Sequence, residues 1–161
     1  MAYLLDANCF IQAKNREYGF DFCPGYWDWI RREHGAGQVL SVESVGTEIA
    51  VGKDELSEWA TALPQPFFVK PSAASLQSLT RLSSWASGGA FDPAAVNDFL
   101  SAADFFLVGE AMAHDHTVVT HEVVSATKKR IKIPNACIEF GVKFMTPYQM
   151  LRLERARFIL Q

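Results

Sequence analysis

Long apolar runs are missing from this sequence, and so is any excess of positive charge. No hydrophobic stretch approaches the roughly 20 residues a membrane-crossing helix needs, so the reading excludes a membrane partner. The opening residues, MAYLLDANCF, do not read as a secretion signal. No basic segment precedes the apolar stretch, and Asp6 interrupts it. Cysteine is scarce and odd in number. Cys9, Cys23 and Cys137 lie far apart, forming neither a disulfide framework nor a CxxC metal pair. A reducing, cytoplasmic compartment is the simplest expectation. The net charge of −3 argues against tight, sequence-blind binding of nucleic acid over the whole surface. Linkers, repeats and low-complexity segments are also missing, so residues 1–161 are expected to form a single domain with its own core.

What is present is an alternation of short β-like runs with helical stretches. Strands are expected at 2–5, 38–42, 117–120 and 143–145, with a short strand or extended link at 67–69. Helices are expected at 8–14, 25–33, 44–51, 54–63 (capped by Asp54), 72–86, 101–114, near 135–140 and at 147–157. A short helix opens at Asp92-Pro93, with Pro at its first position. Strands alternating with helices imply an α/β fold, a three-layer α/β/α sandwich around a central parallel sheet.

Several carboxylates punctuate this pattern. The run Tyr3-Leu4-Leu5 stops at Asp6, with Asn8 two positions on. A strand that ends in a carboxylate puts it at the carboxyl edge of the sheet, where open α/β folds bind ligands. The plainer alternative is a solvated turn residue capping the next helix. Val118-Val119-Thr120 runs similarly into His121-Glu122. A zinc-protease HExxH motif is excluded there, because its second His position is Ser125. Asp104 fits a capping box with Ser101, a role compatible with facing a site at the same edge. In SVESVGTEIAVG, Glu48 is three residues from both Val45 and Val51, near the apolar stripe, and is preferred to Glu43. Glu43 belongs at the helix start, where the dipole favours an acid. If Asp6, Glu48, Asp104 and Glu122 share one pocket, mutual repulsion calls for a cation. Mg²⁺ or Mn²⁺ is the natural choice, and phosphodiester hydrolysis the natural chemistry.

Other clusters read more plainly. His114-Asp115-His116 sits between a helix and the amino end of a strand, where a helix C-terminus favours positive charge. Lys128, Lys129 and Arg130 follow the third long strand, either as a solvated loop or as phosphate contacts beside the acids. Tyr26, Trp27 and Trp29 read as core or interface rather than as a base-stacking platform.

The segments LLDANCFI, SVESVGTEIAVG, AADFFLVGEAMAH and VVTHE, in this order and spacing, resemble the PIN-domain (VapC-like) ribonucleases. The closing IKIPNACIEFGVKFMTPYQML resembles a PIN-like bacterial subfamily of uncharacterised function. The resemblance implies Asp6, Glu48, Asp104 and Glu122 as catalytic metal ligands, with Asn8 and Thr120 orienting waters or carboxylates behind them. It implies an endoribonuclease using Mg²⁺ or Mn²⁺, with RNA as substrate. A toxin role with a small antitoxin partner, and a homodimer, are further implications. The fourth acid is usually Asp in that family and is Glu122 here. Two other functions fit the same features: a catalytically inactive PIN-like protein-binding module using segment 25–33 as an interface, and a structure-specific DNA nuclease.

Overall fold

The computed structural model describes residues 1–160. Five short strands, β1 (Tyr3–Leu5), β2 (Val39–Val42), β3 (Phe68–Val69), β4 (Thr117–Val119) and β5 (Phe144–Met145), form one sheet. Its order is β3-β2-β1-β4-β5, and every pairing is parallel. Nine helices surround it among the described residues: α1 (Asn8–Asn15), α2 (Pro24–Gly35), α3 (Glu43–Ala50), α4 (Glu55–Thr61), α5 (Ala73–Ala86), α6 (Pro93–Ser101), α7 (Ala103–His114), α8 (Ile133–Phe140) and α9 (Pro147–Leu153). None is long and apolar enough to cross a membrane.

The central strands show why the sheet is covered on both sides. Successive residues of a strand face opposite ways. Leu4 and Leu5 are nevertheless both fully buried, as are Val118 and Val119. Apolar layers must therefore lie on each face, as in all-parallel sheets generally. The architecture is the expected α/β/α sandwich. The aromatic residues of segment 24–35 belong to its core: Tyr26, Trp27 and Trp29 are all buried. Tyr26 stacks on Tyr18, and its hydroxyl donates to the Cys9 carbonyl at 2.8 Å. An interface built from these three rings is therefore ruled out.

Helix α7 contacts β2 and β4, and α5 packs along it. That approach is close because Gly109 has no side chain; a Cβ there would collide with Leu79.

Several element ends depart from expectation. The capping box at Ser101 does not form. Ser101 closes α6, and its hydroxyl donates to the carbonyls of Asn97 and Asp98. The chain then extends through Ala102 (φ −88°, ψ 160°), and α7 begins at Ala103 with Asp104 as its second residue. Residues 67–69 do contribute a strand, β3, at the sheet edge. Helix α9 ends at Leu153 rather than 157. Arg155 adopts a left-handed φ of 53°, and the Ala156 amide returns to the Leu151 carbonyl, a helix-ending pattern. Asp54 caps α4 as expected, in a reciprocal box with Ser57.

The strand order positions the site. From β1 the chain winds outward through β2 to β3, then crosses back to β4 and on to β5. The winding direction reverses between β1 and β4. In open α/β sheets, the crevice beyond the carboxyl ends of two such strands is where ligands bind.

Candidate active site

Asp6 and Thr120 are the first residues beyond β1 and β4, the two strands flanking that crevice. The Asp6 amide donates to the Val119 carbonyl at 2.9 Å, tying the two strand ends together. Thr120 is fully buried, and its hydroxyl donates to Asp6 Oδ2 at 2.9 Å. The same hydroxyl oxygen accepts the Glu122 amide at 3.1 Å. One threonine thus orients the first acid and the backbone carrying the last. Asp6 does not cap α1: Ala7 holds that position, and no side chain caps the helix. Only 4% of Asp6 is exposed. Burial pushes its carboxyl up from 3.8 to about 7, helped by the charges of Asp104 and Glu122 and opposed by the Thr120 hydrogen bond.

Asp104 enters the site from the first turn of α7, and its carboxyl is raised to about 6. Burial is the main cause, followed by the charge of Glu122; Arg130 opposes the rise and Glu48 adds to it. Two carboxyls that resist ionisation at one crevice mark a place where negative charge is already crowded. Such perturbation is concentrated at functional sites.

Glu122 is bound differently. Its side chain is 8% exposed, and both oxygens are engaged. Oε1 accepts from Arg130 Nη2 at 2.9 Å, and Oε2 accepts the Ile133 amide at 2.8 Å. Ile133 is the first residue of α8, whose N-terminus has no side-chain cap from its own N-cap residue, Lys132. Glu122 supplies that acceptor from outside, where the helix dipole favours an anion.

Glu48 is exposed, contrary to its expected place near the inward stripe. Helix α3 buries Val45 and Ile49, and it ends before the 77%-exposed Val51. Glu48 therefore flanks the buried line. It still faces the site, lining a cavity of about 610 Å³ with Asp104 and Arg130. Glu43 lies 3.9 Å from Lys70 and does not line that cavity.

A second cavity, of about 350 Å³, is bounded by Asp98, Asp104, Lys129 and Arg130. Asp98 is a carboxylate that the sequence did not single out. Lys129 and Arg130 thus meet the acids, whereas Lys128 is exposed and fixes the loop through its carbonyl, which accepts the Asp92 amide at 3.0 Å. Asn8 is exposed at the start of α1. His114 and His116 play other parts. His114 lies 3.4 Å from Glu110 and hydrogen-bonds Ser72, and His116 Nδ1 accepts the Ala2 amide at 3.0 Å.

Among the described residues, no group of three or more His, Cys, Asp or Glu side chains is arranged to hold a metal ion. Mg²⁺ needs no such cage, because it keeps several waters and takes one or two carboxylates directly. Asp6 and Asp104 suit it: both are hard oxygen donors whose ionisation a cation would favour. Glu122, with both oxygens engaged, does not suit that role in this arrangement.

No curated protein and no solved structure matches the chain. One family model does match, and it covers residues 3–158, from the first strand to the segment beyond the last helix. The chain belongs to that family, the domain of unknown function DUF4411.

Proposed function

We propose that this chain is a Mg²⁺- or Mn²⁺-dependent endoribonuclease of the PIN type. One observation carries the reading. Asp6 and Asp104 are raised to about 7 and about 6 by burial and neighbouring negative charge, beside the crevice where the winding of a parallel sheet reverses. The resemblance in LLDANCFI, SVESVGTEIAVG, AADFFLVGEAMAH and VVTHE adds its support.

Asp6 and Asp104 would hold the ion, with Glu48 close enough to Asp104 to add its charge. A divalent ion held there supplies an activated water and offsets charge building on the phosphodiester. Thr120 fixes Asp6 Oδ2, so the carboxylate keeps one orientation. Lys129 and Arg130, at the rim, attract the substrate's phosphates. The choice of RNA, a toxin role with a small antitoxin, a homodimer and a cytoplasmic location complete the proposal and rest on the resemblance and the cysteine pattern.

A catalytically silent binding module is the second reading. The engagement of both Glu122 oxygens favours it, since that removes one acid from the expected ligand set. A structure-specific DNA nuclease would use the same acids. Thermal melts with increasing Mn²⁺, on wild type and Asp6→Asn, followed by incubation with total RNA and with branched DNA, separate the three. Metal stabilisation and RNA cleavage by wild type alone are the expected result. Cleavage of DNA only would identify the DNA nuclease, and neither stabilisation nor cleavage would establish the silent module.

A further inference from the structure

The loop between β4 and α8 is held at three points. Glu122 accepts the Ile133 amide across the base of the loop. Asn135, in the first turn of α8, clasps Ser125 twice: its Nδ2 donates to the Ser125 carbonyl at 2.7 Å, and its Oδ1 accepts the Ser125 amide at 3.0 Å. The Asp92 amide holds the Lys128 carbonyl. Ile131, next to Arg130, is buried and anchors the segment from below. A loop tied this way presents Arg130 from a fixed backbone.

Arg130 has an unusual position for so exposed a side chain. Its side chain is 60% exposed, yet its guanidinium pairs with Glu122, whose side chain is only 8% exposed. It lines both cavities that contain Asp104. A cation among these acids either neutralises them permanently or meets an anion that arrives later. A guanidinium held by one carboxylate keeps other N–H donors, whose planar fork matches a phosphate.

We propose that Glu122 is a positioning residue rather than a metal ligand, and that it holds Arg130 to grip a phosphate of the nucleic-acid backbone beside Asp104. The proposal rests on the nuclease reading of this site. It divides the acids into two classes: Asp6 and Asp104 face the ion, and Glu122 faces the arginine. The length of Glu122 suits the task, because its two oxygens reach Arg130 and the Ile133 amide together.

The test uses the whole chain as wild type, Asp6→Asn, Glu122→Gln and Arg130→Gln. Mn²⁺ affinity is measured by calorimetry. KM, kcat and the salt dependence of binding are measured with a single-stranded oligoribonucleotide. Melting temperatures confirm folding, and the exposed Arg130 serves if Glu122→Gln fails to fold. Glu122→Gln and Arg130→Gln are expected to change Mn²⁺ affinity by less than about fivefold, as for loss of a partly screened charge. Asp6→Asn is expected to lose more than about a hundredfold, beyond the range of supporting residues. Both Glu122→Gln and Arg130→Gln should raise KM by roughly tenfold with a smaller change in kcat, and Arg130→Gln should lower the salt slope by about one. Loss of Mn²⁺ affinity in Glu122→Gln comparable to that in Asp6→Asn would make Glu122 a ligand, overturning this proposal while leaving the nuclease reading intact. Unchanged KM and salt slope in Arg130→Gln would also overturn it. A wild type that binds no Mn²⁺ would remove the nuclease reading and this proposal together.

Discussion

Asp6→Asn is expected to make the metal-free protein more stable. The Asp6 carboxyl rises from 3.8 to about 7 on folding, with burial the largest cause. A raised carboxyl is held protonated in the folded chain while the unfolded chain has already released its proton. The contribution of Asp6 to stability is therefore greatest below about pH 4, falls as pH rises toward about 7, and levels off above that. At about 1.4 kcal/mol per pH unit, the full rise corresponds to about 4 kcal/mol at neutral pH. Part of this belongs to the neighbouring acids, so a gain of about 2–4 kcal/mol is expected. Asparagine removes the titration, and its carbonyl oxygen can still accept from Thr120. For a domain of this size, that gain corresponds to roughly 5–15 °C in melting temperature.

The assay is urea unfolding of wild type and Asp6→Asn in EDTA from pH 4 to 8. Asp104 titrates in the same direction as Asp6. His116 and His121 are lowered by burial and act in the opposite direction. The difference between the two proteins is therefore the quantity to follow, and it should widen from pH 4 to 7. With Mn²⁺ at about a hundred times its dissociation constant, wild type should gain about 2.7 kcal/mol and the variant should gain almost nothing. If Asp6→Asn is the less stable protein at pH 7 without metal, the crowded, desolvated carboxylate described above does not exist.

Other substitutions probe the supports of the site. Thr120→Val keeps the shape but removes the donor to Asp6 and the acceptor for the Glu122 amide. Urea unfolding should show a loss of about 1–3 kcal/mol, and calorimetry a 10- to 100-fold weaker Mn²⁺ affinity. Tyr26→Phe deletes the buried hydrogen bond to the Cys9 carbonyl. A loss of about 1 kcal/mol is expected by the same unfolding assay, with RNA cleavage unchanged. Gly109→Val should wedge α5 from α7 by driving a side chain into Leu79. It should destabilise by about 1–3 kcal/mol or more, read as a lower melting temperature.

Much of the fold was legible because its signals are local. Tyr3-Leu4-Leu5 is a short apolar run that stops at Asp6, and Val118-Val119 is one flanked by Thr117 and Thr120, as expected of strands buried on both faces. Pro24, Pro93 and Pro147 lie in the first turns of helices, and Asp54 caps another. The departures fall where the local pattern depends on where a helix ends. A stripe that places Glu48 inward needs Val51 on the helix, but α3 stops at Ala50. On a helix, Glu48 then sits about 60° off the line set by Val45. The Ser101 box failed because α6 extends to Ser101 and leaves only Ala102 to turn the chain into α7. Glu110 lies buried within an apolar helix, and no local spacing in the sequence reveals its partner. Its buried carboxylate is satisfied by Ser75, 35 residues away in sequence.

The sequence by itself determined the alternation of strands and helices, the depth of burial of the central strands, and the acids standing just beyond two of them. These follow from side-chain polarity and spacing over a few residues, which set local periodicity and the places where it stops. Only the tertiary structure decided that β1 lies beside β4, bringing Asp6 to Thr120 across 114 residues of chain. It also decided that Arg130 turns back to hold Glu122. Both depend on the path of the chain through space, set by how all the layers pack together.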